Sequence, residues 1–164
     1  MRKPQIIPFK ILSRPQLLQE IIRLRFLCKS VVFTNGCYDI LHMGHIASLS
    51  GAAVEADFLI VGVNADESVK KLKGPGRPIN NQDVRAGMIA SLLMVDAVTI
   101  FEEDTPLELI KAILPDVLVK GGDYSLEQIV GAKEVIANGG RVVINPILEG
   151  FSTSALIDRI HHTP

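Results

Sequence analysis

The chain has 164 residues, and its 17 Lys and Arg residues almost balance its 18 Asp and Glu residues, which gives a net charge of -1 at pH 7. A charge so close to zero gives no general attraction to nucleic acid or to an anionic membrane, so we expect neither as a partner. A chain of this length buries roughly 70% of its extended-chain surface on folding. We therefore predict a single domain over residues 1–164 that needs no disulfide or metal for stability.

Cysteine use and hydrophobic run length indicate the compartment. Cys28 and Cys37 are not a CxxC pair and are typical of reduced thiols in a reducing compartment. The N-terminal segment MRKPQIIPFK lacks a long apolar core, and the longest apolar runs, such as Phe58–Val63, are too short to cross a bilayer. These features predict a cytoplasmic protein.

The N-terminal part precedes the first predicted strand. Residues 1–12 contain Pro4 and Pro8 and predict a loosely ordered arm. Ser13 is a suitable N-cap, and apolar residues then recur at helical spacing as far as Cys28. We therefore predict an N-terminal helix over residues 13–28.

Strands and helices alternate along the rest of the chain. The predicted strands are Val31–Phe33, Phe58–Val63, Ala97–Phe101, Val117–Lys120 and Arg141–Ile144. The predicted helices are Ile46–Ala56, a short one from Glu67, one from Asn80 or Asn81 to Leu93, one from Thr105 to the residue before Pro115, Gly131–Asn138 and Ala155–His161. This alternation predicts an α/β fold: a Rossmann-like, doubly wound, parallel five-stranded sheet with helices on both faces.

The segment VVFTNGCYDILHMGH, from Val31 to His45, joins the first predicted strand to a helix. The first backbone N–H groups of a helix are unpaired and lie at the positive end of its dipole, so this junction favours a phosphate. His42 and His45 lie on either side of Gly44, which adds no side-chain bulk. Two imidazoles and bare backbone N–H groups suit a phosphate on which negative charge grows during reaction.

Other polar residues follow the predicted strands. Asn35, Asn64, Lys120 and the turn at residues 149–154 all lie at or shortly after strand ends. Ligands in doubly wound sheets bind beyond the carboxyl ends of the strands, so we expect these residues to share one site with the histidines.

The residues of these junctions resemble a known family. The blocks TNGCYDILHMGH, VNADESVKKLKGPGRPI, DVLVKGGDY and EGFSTS occur in chain order and are similar to the nucleotidylyltransferase superfamily that carries the HxGH motif. They most resemble the heptose 1-phosphate adenylyltransferases, which make ADP-heptose for bacterial lipopolysaccharide, either alone or fused to a sugar kinase. The resemblance extends from about Val31 to the C-terminus.

The resemblance implies transfer of AMP from ATP to D-glycero-β-D-manno-heptose 1-phosphate, with release of pyrophosphate. An oxygen of the sugar phosphate would attack the α-phosphorus in line, without a covalent enzyme intermediate. Since the nucleophile is already an anion, the protein mainly positions two polyanions and offsets charge in the transition state. Mg2+ bound to the triphosphate is the implied cofactor, and we predict no metal site made of protein ligands.

The resemblance also implies roles for individual residues. His42, His45 and Lys73 are the implied catalytic residues, with Lys73 neutralising charge from the Gly/Pro loop that follows it. The implied nucleotide-binding residues are Thr34, Asn35, Gly36, Gly44, Arg85, Gly122, Asp123, Phe151, Ser152, Thr153 and Ser154. The implied substrate-binding residues are Asp39, Asn64, Asp66, Lys70 and Lys120. Within these sets Arg85 is directed at the phosphates and Asp123 holds the ribose.

Partners also follow from the resemblance. Family members of this size are commonly dimeric, so we expect a homodimer. No sugar kinase domain precedes this sequence, so we expect a separate heptose kinase to supply the substrate.

Four positions depart from related patterns. One of them, Ser154, replaces a frequent Thr and keeps the hydroxyl. Tyr38 stands where Phe is usual in the family. Ile147 stands where glycerol-phosphate cytidylyltransferases have Arg, and Gly122 replaces the first of their paired acids. The last two differences favour ATP over CTP. A CTP-dependent cytidylyltransferase acting on a polyol phosphate such as glycerol 3-phosphate is the alternative function, and a pantetheine-phosphate or FMN adenylyltransferase is a more distant one.

Other classes fit the sequence less well. An NAD-dependent oxidoreductase needs a GxGxxG turn after the first strand, and residues 34–44 do not provide it. A silent nucleotide-binding module would be expected to lack a histidine, the loop lysine or the terminal hydroxyls, and this chain has all of them. A zinc site at His42 and His45 lacks a third ligand at suitable spacing. Asp39 has two interpretations, since it either orients the junction or contacts substrate.

Overall fold

The fold was obtained as a computed structural model that describes residues 4–122, 124–146, 148 and 150–162. Its strands form one parallel sheet in the order β3-β2-β1-β4-β5. The strands are β1 (Val31–Gly36), β2 (Phe58–Asn64), β3 (Ala97–Phe101), β4 (Val117–Gly121) and β5 (Arg141–Asn145). The predicted α/β class and parallel five-stranded sheet are confirmed.

Helices connect these strands. The α-helices are α1 (Arg14–Phe26), α2 (Met43–Ala53), α3 (Asp66–Lys73), α4 (Gln82–Ala90), α5 (Leu107–Ile113), α6 (Ala132–Ala137) and α7 (Thr153–His162), and short 3-10 helices cover Pro4–Lys10 and Leu126–Gln128. Helix α2 begins three residues before the predicted start at Ile46, because His42 adopts the extended N-cap conformation. The histidine motif therefore lies within the first turn of α2.

The two faces of the sheet are covered by different helices. Successive side chains of a strand point to opposite faces, so Phe33 packs with α1, α5 and α6 while its neighbour Val32 packs with α2 and α4. Both residues have no exposed surface. Helices therefore lie on both faces, as predicted.

The strand order creates a crevice beside β1. This strand pairs with β2 on one side and with β4 on the other, so the chain reverses its direction of winding there. The loops after β1 and β4 then lead to opposite faces and leave space between them, which is where such sheets bind ligands.

The N-terminal segment contacts the edge of the sheet. Residues 4–12 were predicted as part of a loosely ordered arm, but Lys10 donates from Nζ to the Val95 carbonyl at 2.6 Å. The Leu12 amide donates to the Val98 carbonyl on β3 at 2.8 Å. This part of the arm is therefore attached beside β3. Among the described residues, no helix is long and apolar enough to cross a membrane.

Candidate active site

The two histidines lie together where β1 passes into α2. His42 is the N-cap of α2, and the His45 amide donates to the His42 carbonyl at 2.9 Å. Their rings stack with centroids 3.8 Å apart at an interplanar angle of 24°. A Cβ atom at Gly44 would lie 3.0 Å from the His42 ring and 3.4 Å from Cβ of Phe151. Glycine is thus needed for this close packing.

The imidazoles are held neutral. Burial lowers the pKa of His42, and burial together with the neighbouring His42 lowers the pKa of His45 to about 4. The Nδ1 atoms of both rings are buried and have no hydrogen-bond partner among the described residues. Buried polar atoms normally have a partner, so the arrangement is suited to a polar ligand.

The histidines face a cavity of about 270 Å³, which we call the histidine cavity. It joins the end of β1, the start of α2, the end of β4 and the segment before α7. Its lining residues are Thr34, Asn35, Gly36, Tyr38, His42, Gly44, His45, Ser48, Lys120, Gly121, Tyr124, Pro146, Leu148 and Phe151.

A second cavity of about 380 Å³, the lysine cavity, adjoins the first. Its lining residues are Asn35, Gly36, Cys37, Asn64, Leu72, Lys73, Asp104, Thr105, Pro106, Leu118, Lys120, Tyr124, Gln128, Ile129 and Val130. Both cavities are lined by Asn35, Gly36, Lys120 and Tyr124. The structure therefore provides two adjacent binding spaces that meet beyond the ends of β1 and β4.

Several predicted residues come together in these cavities. Thr34 and Asn64 are buried at the ends of β1 and β2, and Asn64 donates from Nδ2 to Ser68 Oγ at 3.1 Å. Lys120 Nζ lies 3.5 Å from Asn35 Oδ1, and burial lowers the pKa of its ammonium group. Lys73, the last residue of α3, lines the lysine cavity but not the histidine cavity.

Asp39 lies behind the site and lines neither cavity. Its carboxylate is buried and accepts from the backbone amides of Ile79 and Asn80 at 2.8 and 2.9 Å, and from Arg77 Nε at 2.6 Å. Burial opposes ionisation, but these donors outweigh it and hold the pKa of Asp39 below its usual value. Asp39 therefore holds the segment after the Gly/Pro loop in place. This position agrees with the interpretation that Asp39 orients the junction between β1 and α2.

Arg85 and Lys70 also contact protein groups rather than either cavity. Arg85 is completely buried and donates from Nη2 to Asp66 Oδ1 at 2.7 Å. Lys70 is exposed and pairs with Glu67 at 2.6 Å. Direct ligand contacts by Arg85, Asp66 and Lys70 remain predictions from the resemblance.

The C-terminal turn reaches the histidine cavity through Phe151. The Ser152 carbonyl accepts the Leu156 amide at 3.1 Å as α7 begins at Thr153. The predicted contact of Asp123 lies outside the described residues, as does that of the Ser154 side chain. Gly122 has a φ of 130° and donates its amide to the Asn145 carbonyl at 3.1 Å, so it shapes the turn beside the cavities.

Some lining residues were not predicted. Ser48 lies three residues after His45 on α2, and this helical spacing places both on one face. Tyr124 is the last residue of the DVLVKGGDY block and directly follows its Gly-Gly-Asp segment. Asp104 and Gln128 lie on elements far from the motif in sequence, and no local pattern indicates them.

Among the described residues, no group of three or more His, Cys, Asp or Glu side chains has an arrangement that could hold a metal ion.

The geometry agrees with comparisons to known proteins. The family model described as cytidylyltransferase-like matches residues 33–159, a span that includes both histidines and both cavities. The chain belongs to the cytidylyltransferase-like family. This membership confirms the predicted superfamily and the predicted class of nucleotidyltransferase enzyme.

Curated relatives share much of the sequence. The chain is 61% identical over 127 residues to the bifunctional protein HldE of Nitrobacter winogradskyi, covering 77% of this chain and 26% of that protein. It is 51% identical over 152 residues to the proteins of the same name from Koribacter versatilis and Vibrio cholerae, covering 93% of this chain and 31% and 32% of those proteins. The chain thus spans about a quarter to a third of the length of these relatives.

Solved structures share the fold. A lipopolysaccharide core biosynthesis protein from Thermoplasma volcanium has a TM-score of 0.59 and 27% identity, covering 73% of this chain and 97% of that one. A pantoate-beta-alanine ligase from Francisella tularensis, complexed with beta-gamma ATP and beta-alanine, also has a TM-score of 0.59, covering 83% of this chain and 66% of that one. The second is 16% identical and is similar in fold alone.

Proposed function

We propose that the chain transfers AMP from ATP to D-glycero-β-D-manno-heptose 1-phosphate, giving ADP-heptose and pyrophosphate for the core of lipopolysaccharide. The observation that carries the proposal is the meeting of two cavities beside the stacked histidines. A transferase with two phosphorylated substrates needs two such spaces with a common boundary. The similarity to the lipopolysaccharide core biosynthesis protein from Thermoplasma volcanium supports the lipopolysaccharide assignment, and the resemblance of four sequence blocks to heptose 1-phosphate adenylyltransferases supports the heptose assignment.

The histidine cavity is proposed to hold the triphosphate of ATP. There the imidazoles of His42 and His45 donate hydrogen bonds to phosphate oxygens, and the backbone N–H groups at the start of α2 do the same. Four residues that line this cavity are proposed to contact the nucleotide, as the family resemblance implies: Thr34, Asn35, Gly36 and Gly44. The turn at Gly122 and Asp123 and the residues Phe151–Ser154 are proposed to hold the ribose, the base and the outer phosphates.

The lysine cavity is proposed to hold the sugar phosphate. Lys73 supplies positive charge at its edge, while Asn64, Asp104 and Gln128 offer hydrogen-bonding groups to a polyhydroxylated ligand. The sugar phosphate oxygen then attacks the α-phosphorus from this side, and pyrophosphate leaves on the opposite side in the histidine cavity. No general base is required, because the attacking oxygen is already ionised.

Four further features belong to the proposal. Mg2+ is the proposed cofactor, and when bound with ATP it would neutralise part of the charge of the triphosphate. The chain acts in the cytoplasm and as a homodimer, and a heptose kinase supplies its substrate.

A pyrophosphate-release screen tests the proposed function. The chain is incubated with ATP, CTP, GTP or UTP in combination with heptose 1-phosphate, glycerol 3-phosphate or pantetheine phosphate. We expect rapid release only with ATP and heptose 1-phosphate. Preference for CTP with glycerol 3-phosphate would instead establish the cytidylyltransferase alternative.

A further inference from the structure

We infer that Lys120 is a catalytic residue that contacts the phosphoryl group during transfer. This inference rests on the proposed function and goes beyond the substrate-binding role that the sequence gives Lys120. Among the residues that the structure describes, the wall shared by the two cavities consists of Asn35, Gly36, Lys120 and Tyr124. A bond between ligands in adjoining cavities forms where those cavities meet, so groups on this wall face the reacting phosphorus.

Charge distinguishes Lys120 from the other residues of the wall. Asn35, Gly36 and Tyr124 are uncharged at neutral pH, whereas Lys120 brings an ammonium group. Two negatively charged ligands approach each other at this boundary, so a cation there reduces their repulsion as well as stabilising the transition state. Position and charge together therefore favour Lys120 over its neighbours.

The surroundings of Lys120 leave its charge available to a ligand. Lys120 is the penultimate residue of β4, and among the described residues its side chain has one hydrogen-bond contact, a long one of 3.5 Å to Asn35 Oδ1. The surface residues Lys71 and Lys111 have carboxylate partners at 2.7 and 3.0 Å, but Lys120 has none among the residues that the structure describes. A partly buried cation is costly without an anionic partner, and an incoming phosphate provides one.

The electron movements define what the ammonium does. The oxygen of the sugar phosphate forms a bond to the α-phosphorus, while the bond from that phosphorus to the oxygen bridging to the β-phosphate breaks. The electron pair of the broken bond leaves with pyrophosphate. Lys120 donates hydrogen bonds to oxygens of the α-phosphoryl group throughout and transfers no proton.

Lys73 provides an internal contrast. It lines the lysine cavity but not the histidine cavity, so its charge acts on one ligand alone. Loss of Lys73 is thus expected to weaken acceptor binding, whereas loss of Lys120 is expected to slow the chemical step.

Steady-state kinetics of Lys120→Met, with ATP and heptose 1-phosphate, test the inference. We expect kcat to fall about 100-fold or more, with both KM values within about threefold of wild type, because a transition-state interaction is lost. Lys133→Met is the matched control, since Lys133 is exposed on α6 and lines neither cavity. It should have wild-type kinetics. An unchanged kcat with a raised KM for heptose 1-phosphate alone would overturn the inference.

Two further measurements separate charge from structure. Lys120→Gln keeps a polar contact to Asn35 and should lose turnover as Lys120→Met does, and a Gln variant with wild-type kcat would also overturn the inference. Added ethylammonium should raise the kcat of Lys120→Ala in a saturable way, because it restores the cation to the vacated space. Thermal unfolding of each variant checks that the fold is intact.

Failure of the inference and failure of the proposed function give different results. If the proposed function is wrong, the wild-type chain releases no pyrophosphate with ATP and heptose 1-phosphate. If only the inference is wrong, the wild-type chain is active and Lys120→Met keeps the wild-type kcat, whether or not its KM for heptose 1-phosphate is raised.

Discussion

Arg85 on α4 donates to Asp66 at the start of α3 with Nη2 and Oδ1 2.7 Å apart, although the arginine side chain is completely buried. Its Nε donates to the Asn80 carbonyl at 2.9 Å and its Nη1 to the Cys37 carbonyl at 2.6 Å. One guanidinium on α4 thus connects the loop after β1 to the start of α3, the helix whose last residues line the lysine cavity. We propose that Arg85 acts on the site by holding this loop in place.

Replacing Arg85 by Met should destabilise the fold. Loss of the guanidinium leaves two backbone carbonyls and the Asp66 carboxylate without their donor, so we expect the free energy of unfolding to fall by about 3 kcal/mol. Urea unfolding measures this. Asp66→Asn, at a partly exposed carboxylate, should cost about 1 kcal/mol. An Arg85→Met variant with wild-type stability but weak ATP binding would favour the direct phosphate contact implied by the family resemblance.

Most of the fold could be predicted from the sequence, because each strand is a short run of apolar residues that can be recognised locally. The apolar runs at Phe58–Val63 and Ala97–Phe101 are β2 and β3 to within one residue. Strand order was not predicted, since it depends on contacts between segments distant in the chain. Element ends also differ: α2 begins three residues earlier than the predicted start at Ile46, with His42 as its extended N-cap residue.

The site was predictable to the extent that it lies at one strand–helix junction. His42 and His45, which follow β1, and Lys120, near the end of β4, line the cavities as their positions suggest. Asp39 and Arg85 have the residue types of a ligand site, but spacing does not reveal burial, and both are buried against backbone groups. Sequence position alone therefore does not separate residues that contact a ligand from residues that support the site.

Asp39→Asn should lower stability in a pH-dependent way. The carboxylate accepts three charge-assisted hydrogen bonds, including those from Ile79 and Arg77, so we expect a loss of about 2 kcal/mol at pH 7. Since the pKa of Asp39 is lowered in the folded chain, its contribution is complete above about pH 4 and is lost as pH falls through the lowered value. Unfolding of both proteins at several pH values should show the difference narrowing in acid. A difference independent of pH would show that ionisation of Asp39 is not involved.

His42→Ala and His45→Ala should each reduce turnover by about 100-fold or more, because hydrogen bonds to the reacting phosphates strengthen as charge develops. The pyrophosphate-release assay measures this, and circular dichroism checks the fold. Ser91→Ala is a suitable control for handling and assay, since Ser91 is exposed at the end of α4. Near-wild-type turnover in either histidine variant would rule out that histidine as a catalytic residue.

ATP binding should be accompanied by proton uptake near pH 6. Burial and the neighbouring His42 lower the pKa of His45 to about 4 in the free chain, so its imidazole is neutral at that pH. A negative triphosphate beside the ring favours the protonated form and raises the pKa. Calorimetry in buffers of different ionisation enthalpy measures the uptake, which should be smaller in His45→Asn. Equal proton uptake by the wild-type chain and by His45→Asn would show that the protons bind to the nucleotide or to other groups of the protein.

Lys73→Met should mainly affect the acceptor. Lys73 lines the lysine cavity and not the histidine cavity. We therefore expect the KM for heptose 1-phosphate to rise about tenfold, with the KM for ATP within about threefold of wild type. Lys70→Met is the matched control, because Lys70 lies one turn earlier on α3 and pairs with Glu67 away from both cavities. If Lys73→Met is unaffected while Lys70→Met is impaired, the cation that serves the acceptor is Lys70, and α3 must shift to bring it to the cavity.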